Sequence, residues 1–417
     1  WANFYQGINM ANLLLENINK PVMDEEKRKV IKGEALFLRS YFYFILVSNF
    51  GDVPLKLNST TSPSEPNLPR TPAKEVYDTI VADMTQAEKL VLPIDEIGYG
   101  GRVSKSAVEG VLARVCLYMA GNPINDVSKY QEARDWAKKV IDSGLHDLNP
   151  SFQQVFINYA QDKYDIKESI WEVEFWGNNV PPYAQGGRIG TNFGPLYSNT
   201  SVDGVSYGWV MAMNWLYYSY DSSDVRRDWA IAPYTNSGVS EIPRPLPVKL
   251  NRYAAKWYRK YELSSSDITN ANTPQNFALL RYSDVLLMFA EAENQVNGPT
   301  PAAYEALNEV RRRAFGKPVH TPDPSIDLTG MTKDSMQAYI EQERPRELCY
   351  EGLRKRDLVR WGIFLPRMQE GIAEFAQYLP TSSYVEYFKN ATQKDVLWPI
   401  PETEMGLNPL LVQNPGW

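Results

Sequence analysis

Apolar residues recur at helical spacing at both ends of this 417-residue chain and stop doing so between Phe152 and Asn276. That interruption constrains the fold more than any other feature. An interval of this length is too long to be an inert loop inside a compact domain. It has few helical stripes and many Gly, Pro, Asn and Ser residues, which predicts an irregular subdomain set between two helical parts. The expected division is 1–151, a helical N-terminal part; 152–276, an irregular aromatic-rich part; and 277–417, further helical pairs and an extended Pro-rich tail. Short strands are expected in the middle part, for example Ser169–Phe175, which alternates at period two.

Helices are expected at Phe4–Ile18, Glu25–Phe50, Tyr130–Ile141, Phe277–Val296, Pro301–Ala314 and Asp334–Trp361. Thr71-Pro72 reads as a cap with proline in the first turn, followed by an apolar stripe of Val76, Ile80, Ala87 and Val91. Ser106 and Glu109 match a capping box ahead of Val111-Leu112-Ala113. Thr300-Pro301 opens another helix in the same way. Small residues at Ala113, Ala120, Ala290 and Ala292 permit close helix contact. Glu343 with Arg346, Glu351 with Arg354, and Asp357 with Arg360 lie three apart, the spacing of ion pairs on a helix surface. They read as scaffold, with Arg281 and Glu291 tying neighbouring helices together.

The net charge of −7 argues against a nucleic-acid partner, which selects for excess Lys and Arg. A 43% hydrophobic content supports a large core. Two cysteines, Cys116 and Cys349, sit in apolar helical patterns and read as small buried hydrophobes. No run of about 18 apolar residues occurs, the length a membrane-spanning helix needs. The two histidines, His146 and His320, have no partner motif. The HExxH and CxxC patterns are missing, and neither zinc binding nor histidine-based hydrolysis nor a cofactor is expected. Asp221-Ser222-Ser223-Asp224 could ligate calcium, but a solvated turn suits it better. Gly98-Tyr99-Gly100-Gly101 does not match the GxxxxGK[ST] phosphate loop, since Ser104 precedes Lys105-Ser106, and reads as a turn before a helix.

Four motifs point to a family. The first is Lys32-Gly33-Glu34-Ala35-Leu36-Phe37-Leu38-Arg39, ending in Gly51-Asp52-Val53-Pro54-Leu55. The second is Leu280-Arg281-Tyr282-Ser283-Asp284-Val285-Leu286-Leu287-Met288. The third is Glu343-Arg344-Pro345-Arg346-Glu347-Leu348, running on through Asp357-Leu358-Val359-Arg360-Trp361-Gly362. The fourth closes the chain: Leu397-Trp398-Pro399-Ile400-Pro401, then Gln413-Asn414-Pro415-Gly416-Trp417, whose prolines forbid a continuing helix. In this order they resemble the SusD/RagB family of surface glycan-binding lipoproteins. Pro345, Leu353 and Lys355-Arg356 depart from the family's arginine, histidine and aromatic pair. The resemblance implies a mainly α fold: a tetratricopeptide-like scaffold of helical pairs, with an inserted irregular, loop-rich subdomain carrying a few short strands. No clean repeat consensus is present. Trp1 is no initiator residue, so a preceding segment is expected. In the resembled family that segment carries a signal peptide and a lipid anchor. The implied setting is the outer face of an outer membrane, beside a SusC-like TonB-dependent transporter.

Aromatic residues make up 12% of the chain, and six of the eleven tryptophans fall between Trp171 and Tyr261. A sugar ring offers C–H faces to an aromatic plate and a hydroxyl rim to amides, carboxylates and arginine. The candidate ligand-binding residues are Trp176, Tyr183, Arg188, Trp209 and Trp215, with Asn178, Asn179 and Asp203 for the rim. Trp171 and Phe175, on the expected strand, suit the core better. Trp229, Trp257 and Tyr258 suit a cover over the helical body. Two or three plates would bind in the micromolar to millimolar range. The expected function is non-catalytic capture of a glycan for delivery to the transporter. A RagB-like peptide-binding role and a glycoside hydrolase, whose carboxylates meet only in space, are the alternatives.

Overall fold

The computed structural model describes residues 1–62, 67–175, 186–247, 249–263 and 271–417. The N-terminal body stacks five helices, Ala2–Asn17, Glu25–Phe50, Ala73–Glu88, Lys105–Ala120 and Lys129–Asp142, with each of the first three packed on the one after it. The Lys105–Ala120 helix pairs with Lys129–Asp142, and both meet the Tyr282–Asn297 helix. Pro301–Ala314 and Lys333–Leu348 then cover the far side of Tyr282–Asn297. The fold is thus mainly α, a stack of helical pairs with a loop-rich part between them. The stripe of Val76, Ile80, Ala87 and Val91 is buried as expected. Lys105–Ala120 and Tyr282–Asn297 are buried nearly all round, the mark of central helices. Cys116 and Cys349 are buried free thiols.

Helix starts follow capping chemistry, with adjustments. Thr300 accepts a hydrogen bond from the Ala303 N–H, and Pro301 occupies the first turn. At Ala73 the cap is Pro72 itself, and Asp52 supplies the side-chain acceptor at 2.8 Å. The box expected at Ser106 and Glu109 does not form: Ser104 alone caps the helix, accepting from the Ala107 N–H, while Ser106 and Glu109 are inside the helix and buried. The tail crosses the body as expected, with the Trp398 N–H on Asn49 O, Asn408 on Leu68 O and Asn414 on Phe50 O. One short helix, Glu402–Leu407, interrupts it.

Two predicted helices are corrected. Phe277–Arg281 is a strand, and the helix begins at Tyr282. Of the four strands among the described residues, β1 (Ser169–Val173), β2 (Tyr234–Ser237), β3 (Ser240–Pro243) and β4 (Phe277–Arg281), β1 pairs antiparallel with β4, and β2 pairs with β3 as a hairpin. Trp171 lies opposite Leu280 in the first pair and buries its ring edge-on against Phe37 and Tyr41. The single helix expected at Asp334–Trp361 breaks after Leu348, where Tyr350 (φ +66°) and Gly352 (φ +79°) turn the chain, and resumes at Arg354–Arg360.

The Arg/Glu-rich residues are scaffold, but buried rather than on a helix surface. Arg281 reaches Glu168 (2.8 Å), Glu347 (3.0 Å) and Glu351 (2.8 Å). Arg313 bridges Glu168 and Glu347 from the other side. Arg226, itself paired to Asp224, reaches Glu343 and Glu347, and Lys256 reaches Glu351 at 2.6 Å. Glu351 therefore serves Arg281 and Lys256, not Arg354. A second cluster joins Arg114, Asp284, Arg344, Asp357, Arg360 and Glu291. Opposite charges at contact distance offset the cost of removing each ion from water.

Other buried carboxyls, Glu172 among them, are held the other way. Glu172 on β1 meets Ser169 (2.5 Å) and Asn276 (3.2 Å), and burial pushes it up to about 7. Its unfolded value lies near 4.3. Between those values the folded state holds the extra proton, so stability falls as pH rises through that window. Glu172→Gln should remove this dependence. Urea midpoints at pH 5 and pH 8 will differ less in the variant than in the parent; an unchanged difference would refute the assignment.

Candidate functional site

An open aromatic surface in the loop-rich part follows from one stretch, Tyr207-Gly208-Trp209-Val210-Met211-Ala212-Met213-Asn214-Trp215. Exposure alternates along it. Tyr207, Trp209 and Trp215 are exposed and Met211 and Met213 half-buried, while Gly208, Ala212 and Asn214 face inward. Neighbouring loops hold the backbone: the Tyr207 N–H donates to Thr191 O, Ala212 N–H to Arg252 O, and Ala254 N–H to Val210 O, each at 2.9 Å. Asn214 accepts from the Leu250 N–H, and the Asn214 and Trp215 N–H groups donate to Glu374. Gly208 has φ +56°, and a Cβ there would lie 2.7 Å from Leu196 Cβ. Only glycine suits that position.

Tyr207 and Trp209 stack with ring centroids 5.5 Å apart and planes 22° from parallel. Trp209 is 67% exposed, so the pair presents a broad plate to solvent. Trp215, 41% exposed, lies under the Arg354 guanidinium (5.3 Å to the ring centroid) beside a pocket of about 170 Å3 that it shares with Met211, Met213 and Leu353. Burial draws Arg354 down to about 10. Tyr218, half exposed, meets Tyr217 edge-on.

The candidates from sequence thus separate. Trp209 and Trp215 stand on one strip. Arg188 is exposed and precedes the short helix Ile189–Phe193, whose Thr191 supports Tyr207. Asp203 turns to Asn236, accepting from its Nδ2 at 2.9 Å. Trp176, Asn178, Asn179 and Tyr183 lie outside the described residues. Trp257 is sealed between Phe156, Phe193 and Phe277. Trp229 packs on Tyr258 and Tyr261. Tyr207 was not among the candidates, although the period-two run Tyr207, Trp209, Met211, Met213, Trp215 is visible in the sequence. Asp221 closes a turn on Ser223, and Asp224 is taken by Arg226. Among the described residues, no three His, Cys, Asp or Glu side chains converge as a metal site.

Comparison with known proteins places the fold. A family model described as "SusD family" matches residues 234–417, and one described as "Starch-binding associating with outer membrane" matches residues 1–117. A SusD homolog of Bacteroides thetaiotaomicron, solved by crystallography, is 31% identical with a TM-score of 0.93, over 100% of this chain and 85% of that one. The chain belongs to the SusD/RagB family. A SusD-like protein of Formosa agariphila is 26% identical over 99% of this chain and 78% of its own length. A solved "Laminarin binding SusD-like protein" is 25% identical, with a TM-score of 0.75, over 100% of this chain and 85% of that one. The SusD-like family is one of glycan-binding proteins associated with the outer membrane. Within that SusD framework, the strip from Tyr207 to Trp215 is carried on loops braced by the helical body.

Proposed function

We propose that this SusD-family chain captures a glycan on the Tyr207–Trp209–Trp215 strip and releases it unchanged to a SusC-like transporter. The reading rests on one observation, the solvent-open stacked pair of Tyr207 and Trp209. Flat rings grip the C–H faces of sugars, and their modest energy per ring suits capture and release. Arg188 and Asp203, with Trp176, Tyr183, Asn178 and Asn179, complete the proposed set, the polar members serving the hydroxyl rim. The protein works on the outer face of the outer membrane, held by a lipid on a segment preceding Trp1.

Calorimetric titration with laminari-oligosaccharides and malto-oligosaccharides tests the reading. Trp209→Ala should weaken binding of whichever series binds by roughly fivefold to tenfold, about 1–1.5 kcal/mol. Unchanged affinity in Trp209→Ala and Trp215→Ala would discard the strip. Shortened oligosaccharides after incubation would discard capture without cleavage. Binding of peptides alone would favour a peptide cargo.

A further inference from the structure

In a chain whose buried cations are nearly all paired, Lys355 and Arg356 stand apart. Arg226, Arg281, Arg313, Arg344 and Arg360 each touch at least one carboxylate. Among the described residues, neither Lys355 nor Arg356 has a carboxylate oxygen within 4.0 Å. Arg356 is only 8% exposed. Its Nη1 donates to Val396 O (3.1 Å) and its Nη2 to Asn49 Oδ1 (2.7 Å). Those neutral acceptors orient the guanidinium and leave its charge uncompensated, a costly arrangement in a desolvated place.

Both side chains line a cavity of about 270 Å3, walled by Tyr41, Phe44, Tyr118 and Trp398. Lys355 Nζ lies 5.7 Å and Arg356 Cζ 5.9 Å from the centroid of the Trp398 ring, which is partly open to solvent. Arg114 adds a third cation: its Nη2 is paired to Asp284, but its buried Nε has no partner. The one acidic lining residue, Glu351, is already committed to Lys256 and Arg281. Burial, with Arg356 next to it, draws the Lys355 ammonium down to about 8 against the pull of Asp395.

We propose that this cavity is an oxyanion site. It takes a carboxylate or sulfate group, free or carried on a single sugar ring, between Lys355 and Arg356, with the Trp398 ring at its side. The site is small for a ligand pocket and holds one ring or one ion, not a chain. Leu353 lines both this cavity and the pocket beside Trp215, but the cavity holds none of the strip's aromatic rings and stands whether or not that strip binds glycan.

Calorimetry with sodium sulfate, sodium glucuronate and neutral methyl glucoside, at matched ionic strength, tests it. Sulfate or glucuronate should bind in the millimolar range or tighter and methyl glucoside should not. Lys355→Gln should weaken anion binding at least tenfold, as should Arg356→Gln if it folds; Lys355 is only half-buried, so its variant keeps the test alive. Equal binding of the two anions identifies a free-ion site, and a tenfold preference for glucuronate identifies a sugar-borne acid. Trp209→Ala should leave anion binding unchanged, so a failure of the strip would not be mistaken for a failure here. No anion binding, or binding that Lys355→Gln does not alter, overturns the proposal.

Discussion

Replacing Arg281 by methionine lowers the unfolding free energy by about 3–5 kcal/mol, the cost of breaking a buried ion pair. Its guanidinium meets Glu168, Glu347 and Glu351 at 2.8–3.0 Å with no exposure to solvent. Methionine matches the bulk of the stem but leaves three carboxylates sharing Arg313, Arg226 and Lys256. Their mutual repulsion in a desolvated interior is what destabilises the variant. The exposed pair of Arg367 and Glu370 is the control, and Arg367→Met should move stability by no more than about 0.5 kcal/mol. Urea unfolding followed by circular dichroism measures both. A loss below about 1 kcal/mol for Arg281→Met would mean that the cluster contributes no net stability.

Acid should unfold the protein between about pH 4 and pH 2. Burial alone would raise Asp284, but Arg344 and Arg114 overcome it and hold the carboxyl down at about 2. Glu347 and Glu343 are likewise held below the usual range, against burial, by Arg313, Arg281 and Arg226. Unfolded carboxyls titrate near 4. These groups therefore stabilise the fold fully above that value, and the stabilisation disappears as pH falls toward their folded values. Asp284 alone accounts for roughly 2–3 kcal/mol. Stability measured at pH 5, 4, 3 and 2.5 should drop steeply over the last three points. A flat profile to pH 2.5 would show that the carboxylates are not held ionised by their arginines.

Helix positions at both ends of the chain were legible because apolar spacing and caps agreed, as at Thr300-Pro301. The switch at Tyr282 was not. Phe277-Ala278-Leu279-Leu280 is a short apolar run that suits strand or helix, and only its pairing with Ser169–Val173, more than a hundred residues away, decides. The break after Leu348 was hidden because Gly352 alone signals it, while Tyr350 adopts a left-handed backbone that no local pattern announces. The spacing of Glu343, Arg346, Asp357 and Arg360 correctly suggested ion pairs. It could not tell that Arg226 would enclose Glu343, or that Arg344 and Glu291 would enclose Asp357 and Arg360. At the candidate site, the sequence marked Trp209 and Trp215 as candidates and Trp257 as a cover over the helical body. Exposure separates them, and exposure depends on what packs behind each residue. The stacking partner Tyr207 was missed because each aromatic was weighed singly, without its period-two neighbours.

The buried charges have a consequence for ligand capture. Arg226, oriented by Asp224, and Lys256, all from the loop-rich part, reach across to Glu343, Glu347 and Glu351 of the helical part. Arg252 and Ala254, whose backbones brace the strip at Ala212 and Val210, lie within four residues of Lys256 in the chain. A binding surface fixed in this way is preorganised, so an arriving ligand loses its own freedom while the backbone beneath it loses almost none. Modest affinity can then come with fast arrival and fast departure, which is the kinetic signature of a relay station.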